Sequence, residues 1–207
     1  MIRADKGEFK LDDYNLVINP ELSLAAFRAG DIPISEKWDE RKHSAIYRFR
    51  GCIDRMPAMF WITFASEKLC LLRFWEDVVL YDQKAIDQEI FAATKMGHDA
   101  YLATRDKWSK FTSQIRAQQQ QRHDAWLEKV IGVPPPYEYD NWGEIISLID
   151  PRDGPAEILV RFKYAFGEDV DLKTYFENRR EQEHRLAMNP PKPLVPGQLP
   201  PGFSRKI

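Results

Sequence analysis

The sequence predicts an α+β fold: an antiparallel sheet of about five or six strands, helices packed mainly on one face, one long helix, and a proline-rich tail. Three observations carry the expectation. Residues 44–75 hold apolar runs with period-two alternation, separated by tight breaks. Residues 83–131 repeat apolar side chains at helical spacing. Residues 143–163 hold two more β-rich runs around an Asp-Gly turn. A single domain is expected over 1–188 and a tail over 189–207.

Residues 8–19 read as a strand or broken hairpin, with Phe9 and Leu11 alternating with charges before Leu16, Val17 and Ile18. A short helix follows. Ser23 is placed as its N-cap and Gly30 just past its end, and Leu24 and Phe27 share a face. Residues 31–43 read as polar and irregular around Pro33. In the strand 44–53, Tyr47, Phe49 and Ile53 point one way and Arg48 and Arg50 the other. Arg55-Met56-Pro57 reads as its break. Strands 59–65 and 68–75 follow, joined at Ser66-Glu67. That turn sets Phe64 opposite Leu69, Thr63 opposite Cys70, Ile62 opposite Leu71 and Trp61 opposite Leu72.

The helical region 83–131 is expected to break near Gly97. Ile86, Ile90, Gly97, Tyr101, Trp108 and Ile115 form a stripe that reads as core. Residues 116–124, RAQQQQRHD, are polar all round and read as projecting into solvent or bridging to a partner. Trp126, Leu127, Val130 and Ile131 restore an apolar face before Gly132 and Pro134-Pro135-Pro136 end the helix. Strands 143–150 and 157–163 flank Pro151-Arg152-Asp153-Gly154-Pro155. A last helix, 171–188, starts on Leu172, Tyr175 and Phe176. The tail carries Pro190, Pro191, Pro193, Pro196, Pro200 and Pro201, a composition suited to an extended segment or to docking on an aromatic groove.

Of 207 residues, 43% are hydrophobic and 13% aromatic, enough for a core without staples. Thirty bases and 32 acids, net charge -2, are interspersed with no basic stripe, which argues against a nucleic-acid partner. No run of about 18 apolar residues occurs. The opening MIRADKGEFKLDDYN lacks a leader's apolar stretch. A cytoplasmic chain with no membrane partner is expected. Cys52 and Cys70 make neither CxxC nor zinc spacing and read as small buried hydrophobes.

No catalytic motif emerges. His43, His98, His123 and His184 form no metal spacing, and on one continuous helix His98 and His123 would stand roughly 37 Å apart. There is no GxSxG, Walker A or GxGxxG, and the ten glycines are scattered. No cofactor or metal is expected. An active site built on carboxylates would need Glu76, Asp77, Asp150 and a histidine to converge in one pocket. The acidic-aromatic segment Glu138, Tyr139, Asp140, Trp142 and Glu144 suits a protein-binding surface better, since aromatics supply binding energy and acids steer a basic partner. Gln118 and Arg122, on the polar helical stretch, are the companion candidates.

Four segments also resemble the plan of small bacterial immunity-like proteins that partner with toxins, including those delivered by secretion systems. They are NLVINPELSLAAF, MFWITFASEKLCLLRF, HDAWLEKVIG and DNWGEIISLIDPRDGPAEILVRF. The similarity spans roughly residues 14–163, and the long helical insertion and the tail depart from the plan. The resemblance implies a non-catalytic protein that neutralises a toxin or effector domain by stoichiometric binding. The alternatives are a structural or chaperone-like adaptor of a larger bacterial assembly and an enzyme with a carboxylate site outside the known motifs.

Overall fold

The computed structural model describes residues 1–41, 44–149 and 154–188, with the side chains of all of these except 38–41. Residues Met1–Leu172 make one compact unit and Lys173 begins a second. The first unit holds two antiparallel sheets. The larger has seven strands in spatial order β4 (Ile34–Arg41), β5 (Ser44–Ile53), β6 (Met56–Ala65), β7 (Lys68–Glu76), β10 (Ala156–Phe162), β9 (Gly143–Ile149) and β8 (Tyr137–Tyr139). The smaller joins β1 (Ile2–Arg3), β2 (Glu8–Lys10) and β3 (Val17–Ile18).

The main sheet is thus wider than five or six strands, and residues 8–19 contribute to a separate sheet. The additional strands are the two edges, β4 and β8. β4 falls where the sequence reads as irregular, because an edge strand has one neighbour and little need of apolar alternation. Its pairing with β5 shifts register twice, between Ile34 and Glu36 and between Trp38 and Arg41.

Both hairpins around β6 turn on two residues in the left-handed region without a glycine: Asp54 and Arg55 (φ 45° and 65°), and Ser66 and Glu67 (φ 47° and 69°). The Asp12 carboxylate holds the first turn by accepting the Arg55 N–H at 2.8 Å. That bond, above all, keeps the Asp12 carboxyl below its ordinary pKa. The break therefore lies at 54–55, and Met56 and Pro57 belong to β6, with Pro57 opposite Cys52.

Beyond Ser66-Glu67 the expected register holds for Phe64 and Leu69, then slips. Thr63 pairs with Leu71, Ile62 with Leu72 and Trp61 with Arg73. Cys70 is the extra residue of a bulge. The slip has a clear cause: it places Leu69, Leu72 and Phe74 together on the buried face, whereas an unbroken alternation would have turned Arg73 inward.

One face of the large sheet carries the core. Phe49 stacks on Phe60 at 5.2 Å and Phe60 on Phe74 at 5.5 Å. Phe27 of α1 (Leu24–Ala29) sits among Tyr47, Phe49 and Phe64, and Phe9 meets Trp142 and Phe162 edge-on. Ser23 caps α1 as expected, accepting the Ala26 N–H at 3.1 Å, but Gly30 is extended (φ -73°) and not left-handed. The opposite face mixes arginine and acid pairs with half-buried aliphatic and aromatic side chains. Arg73 pairs with Glu157 at 2.7 Å and lies 5.0 Å over the Trp61 ring.

Two helices complete the unit, α2 (Gln83–Met96) and α3 (His98–Ile131), divided at Gly97 (φ 118°), where the chain reverses. Asp82 caps α2 through the Ala85 N–H, and Gly132 (φ 84°) closes α3 by donating to the Glu128 carbonyl at 2.8 Å. Both cysteines are free thiols. In the second unit, α4 (Leu172–Met188) continues from Lys173 with Arg185 bonded to Glu181 at 2.7 Å and Arg179 over the Tyr175 and Phe176 rings. Asp150, the turn residues 151–153 and the tail 189–207 lie outside the described residues.

Candidate functional site

α2 and α3 run antiparallel as a helical arm. The Lys107 ammonium meets the Glu89 carboxylate at 2.7 Å and fixes their register. On α2, Ile86, Ile90 and Ala93 are the covered apolar positions, and on α3 Tyr101, Trp108, Thr112 and Ile115 are half-covered; all of these but Ala93 and Thr112 belong to the stripe legible in the sequence. It is a thin seam. From 98 to 115 no residue is buried, and on α2 only Ile86 and Ala93 are. Large apolar side chains stand out from the arm: Met96 is 79% exposed, Phe91 63%, Leu102 45% and Phe111 41%.

A groove of about 440 Å³ runs along one side of the seam. Ile86, Ile90 and Trp108 form its apolar wall, and Gln83, Arg105 and Ser109 its polar rim. The indole N–H of Trp108 is buried in the wall without a hydrogen-bond partner among the described residues. At the base, Arg116 donates to the Tyr81 hydroxyl at 3.2 Å.

The other half of α3 lies on the sheet. The polar stretch 116–124 does not project: Arg116, Gln119 and His123 are its buried positions. Gln119 accepts the Ala156 N–H at 2.9 Å, and Gln120 donates to the Ser147 carbonyl at 3.0 Å. Glutamine amides thus serve the backbone of β10 and β9 where the helix crosses them. Leu127 is fully enclosed and Trp126 meets Phe74 edge-on at 6.1 Å.

The residues singled out in the sequence divide accordingly. Trp142 is a core residue: its indole N–H donates to the Ala4 carbonyl at 2.8 Å and its ring stacks on Tyr139 at 4.8 Å. The core closes so tightly there that a Cβ on Gly7 (φ 63°) would fall 2.6 Å from the Trp142 ring. Glu144 is buried and paired with Arg161. Glu138 is half-buried opposite Glu144, while Asp140 is exposed. Gln118 is exposed on α3, and Arg122 is exposed but bonded to Glu76 at 2.8 Å. The structure thus brings Glu138 opposite Glu144 and Tyr139 against Trp142, but Trp142 and Glu144 are enclosed, and only Asp140, Gln118 and Arg122 of these residues stand exposed. The arm's groove has a sequence signal, aromatics within a polar helix, but that stripe reads as ordinary core.

Of the carboxylates considered for acid–base chemistry, Glu76 serves Arg122, Asp77 serves Arg50 at 3.0 Å, and Asp150 lies outside the described residues. Glu76 also borders a 270 Å³ hollow with Trp75, Tyr81 and Gln119. His123 lies close enough to feel the Glu76 charge, yet it is only 1% exposed, and burial pushes its pKa down to about 4. It is therefore neutral at pH 7. Among the described residues no group of three His, Cys, Asp or Glu side chains is placed to hold a metal ion, and no helix is long and apolar enough to cross a membrane.

Comparison with known proteins returns no family model, no curated protein and no solved structure that matches this chain.

Proposed function

We propose that this chain is a non-catalytic protein-binding protein that seats a segment of its partner in the groove of the helical arm, in the manner of an immunity protein that neutralises a toxin by stoichiometric binding. The observation that carries the reading is the arm: eighteen helical residues, 98–115, that include a tyrosine, a tryptophan and a phenylalanine and bury none of them. Trp and Arg are the side chains that concentrate binding energy at protein interfaces. Here Trp108 supplies an apolar wall, and Arg105 stands on the rim. An amphipathic helix or strand with an acidic side chain beside an apolar anchor matches that lining. The toxin setting comes from the resemblance of the surrounding segments to immunity-like proteins. The adaptor alternative is favoured by one feature, the apolar side of the arm opposite the groove.

The test is affinity capture from the native host with the wild-type chain and with an Arg105→Glu, Ser109→Arg variant, both positions being exposed. A single stoichiometric partner lost from the variant is expected, together with rescue of cells expressing that partner by the wild-type chain. A partner retained by the variant removes the groove from the reading. No partner at all removes the binding function.

A further inference from the structure

The side of the arm opposite the groove has a composition of its own. The Lys107–Glu89 bond marks it, because it joins one row on each helix. On α2 that row, at spacings of three and four, is Ala85, Glu89, Ala92 and Met96. On α3 it is Ala100, Thr104, Lys107, Phe111 and Ile115. Apart from the central ion pair the surface is apolar or small. Its α2 row is exposed throughout, and Phe111 and Ile115 are incompletely covered.

The rows are also self-complementary. Glu89 is level with Lys107, so counting antiparallel puts Ala85 level with Phe111, Ala92 with Thr104 and Met96 with Ala100. A two-fold axis running along the arm would bring each helix against the opposite helix of a second copy at the same level. Phe111 would then lie over an alanine at 85, Met96 over an alanine at 100, and Glu89 against a lysine at 107. Each bulky side chain meets a small one and each charge its opposite, in a four-helix bundle whose neighbours are all antiparallel. A two-fold axis across the arm would instead set like charges against each other.

Charge favours a second copy over a strongly charged partner. Residues 82–116 carry five acidic and six basic side chains, a balance that neither attracts nor repels its own kind. A face two helices wide and about 20 Å long offers roughly 400 Å² a side, which suits a weak, concentration-dependent association rather than an obligate one. We infer that this side of the arm is a homodimer interface, in which α2 of one copy packs on α3 of the other and leaves both grooves open.

The test is sedimentation velocity on the full chain across a concentration series. Wild type is expected to pass from one chain mass to two, with a midpoint of roughly 10–100 μM. Phe111→Asp and Ala92→Arg, both at exposed helical positions, should each hold it at one chain mass throughout. Glu89→Lys and Lys107→Glu should each be monomeric alone and form a heterodimer when mixed in equal amounts, because only across the two-fold axis do their charges become complementary. A wild-type chain that stays monomeric overturns the inference. Dimers that survive Phe111→Asp and Ala92→Arg, or a mixture that stays monomeric, overturn it equally. None of these readouts depends on a partner in the groove, so failure here leaves the proposed function standing, and the reverse also holds.

Discussion

Residues 98–115 and 116–131 belong to one unbroken helix, yet the half with more aromatic side chains is the less buried. The outer half carries Tyr101, Trp108 and Phe111 and encloses none of them. The inner half carries four consecutive glutamines and encloses Gln119, with His123 and Leu127 beside it. Burial here follows what each half faces. The inner half crosses β9 and β10, where strand backbones offer groups that an amide can bond and an aliphatic side chain cannot. The outer half faces one short helix. Hydrophobic content records what a segment is able to bury, and topology decides whether it does.

The two halves differ most in what they contribute to stability. Leu127→Ala should cost about 4 kcal/mol in denaturant unfolding, as expected of a fully enclosed leucine in a packed core. A cost below about 1 kcal/mol would mean that the inner half is not anchored as described.

His123 gives the next largest effect. Its pKa falls from 6.5 to about 4 on folding, chiefly through burial, with Glu76 and Asp124 opposing and Arg122 reinforcing. The unfolded chain therefore takes up the proton first. The stability held by the neutral ring is full above about pH 6.5 and is lost as pH falls toward 4, by roughly 3 kcal/mol. His123→Leu should flatten that part of the stability–pH curve. A variant curve parallel to wild type would assign the acid sensitivity to other groups.

Gln119→Ala should cost about 2 kcal/mol, because it strands the Ala156 N–H in the interior. At the small end, Leu102→Gln on the outer half should stay within about 0.5 kcal/mol of wild type when measured in dilute solution. A loss comparable to that of Gln119→Ala would erase the distinction between the halves.

Much of the sheet is readable before folding. The alternation of Tyr47, Phe49 and Ile53 with Arg48 and Arg50 does assign faces, and Ser66-Glu67 does turn the chain. The bulge at Cys70 is less visible, since Leu69, Cys70, Leu71 and Leu72 are all acceptable inside. Only Arg73, which must face Glu157, distinguishes the two registers. β4 is hidden because an edge strand made of polar residues looks like a loop. The candidate site was harder to read, for two opposite reasons. Trp142, among acids, looks like an interface residue, but a strand-end tryptophan with its N–H on the Ala4 carbonyl is core. Trp108, in a regular stripe, looks like core, but its stripe meets a single helix.

The continuity of α3 has a mechanical consequence. It is 34 residues long without an interruption, held at one end by the sheet and at the other by the turn at Gly97. It is in effect a stiff lever about 50 Å long with its fulcrum near Arg116. A tilt of about 10° at the fulcrum would displace the tip by roughly 5 Å. A load on the tip is therefore delivered to the Gln119, Gln120 and His123 contacts, far from where it is applied.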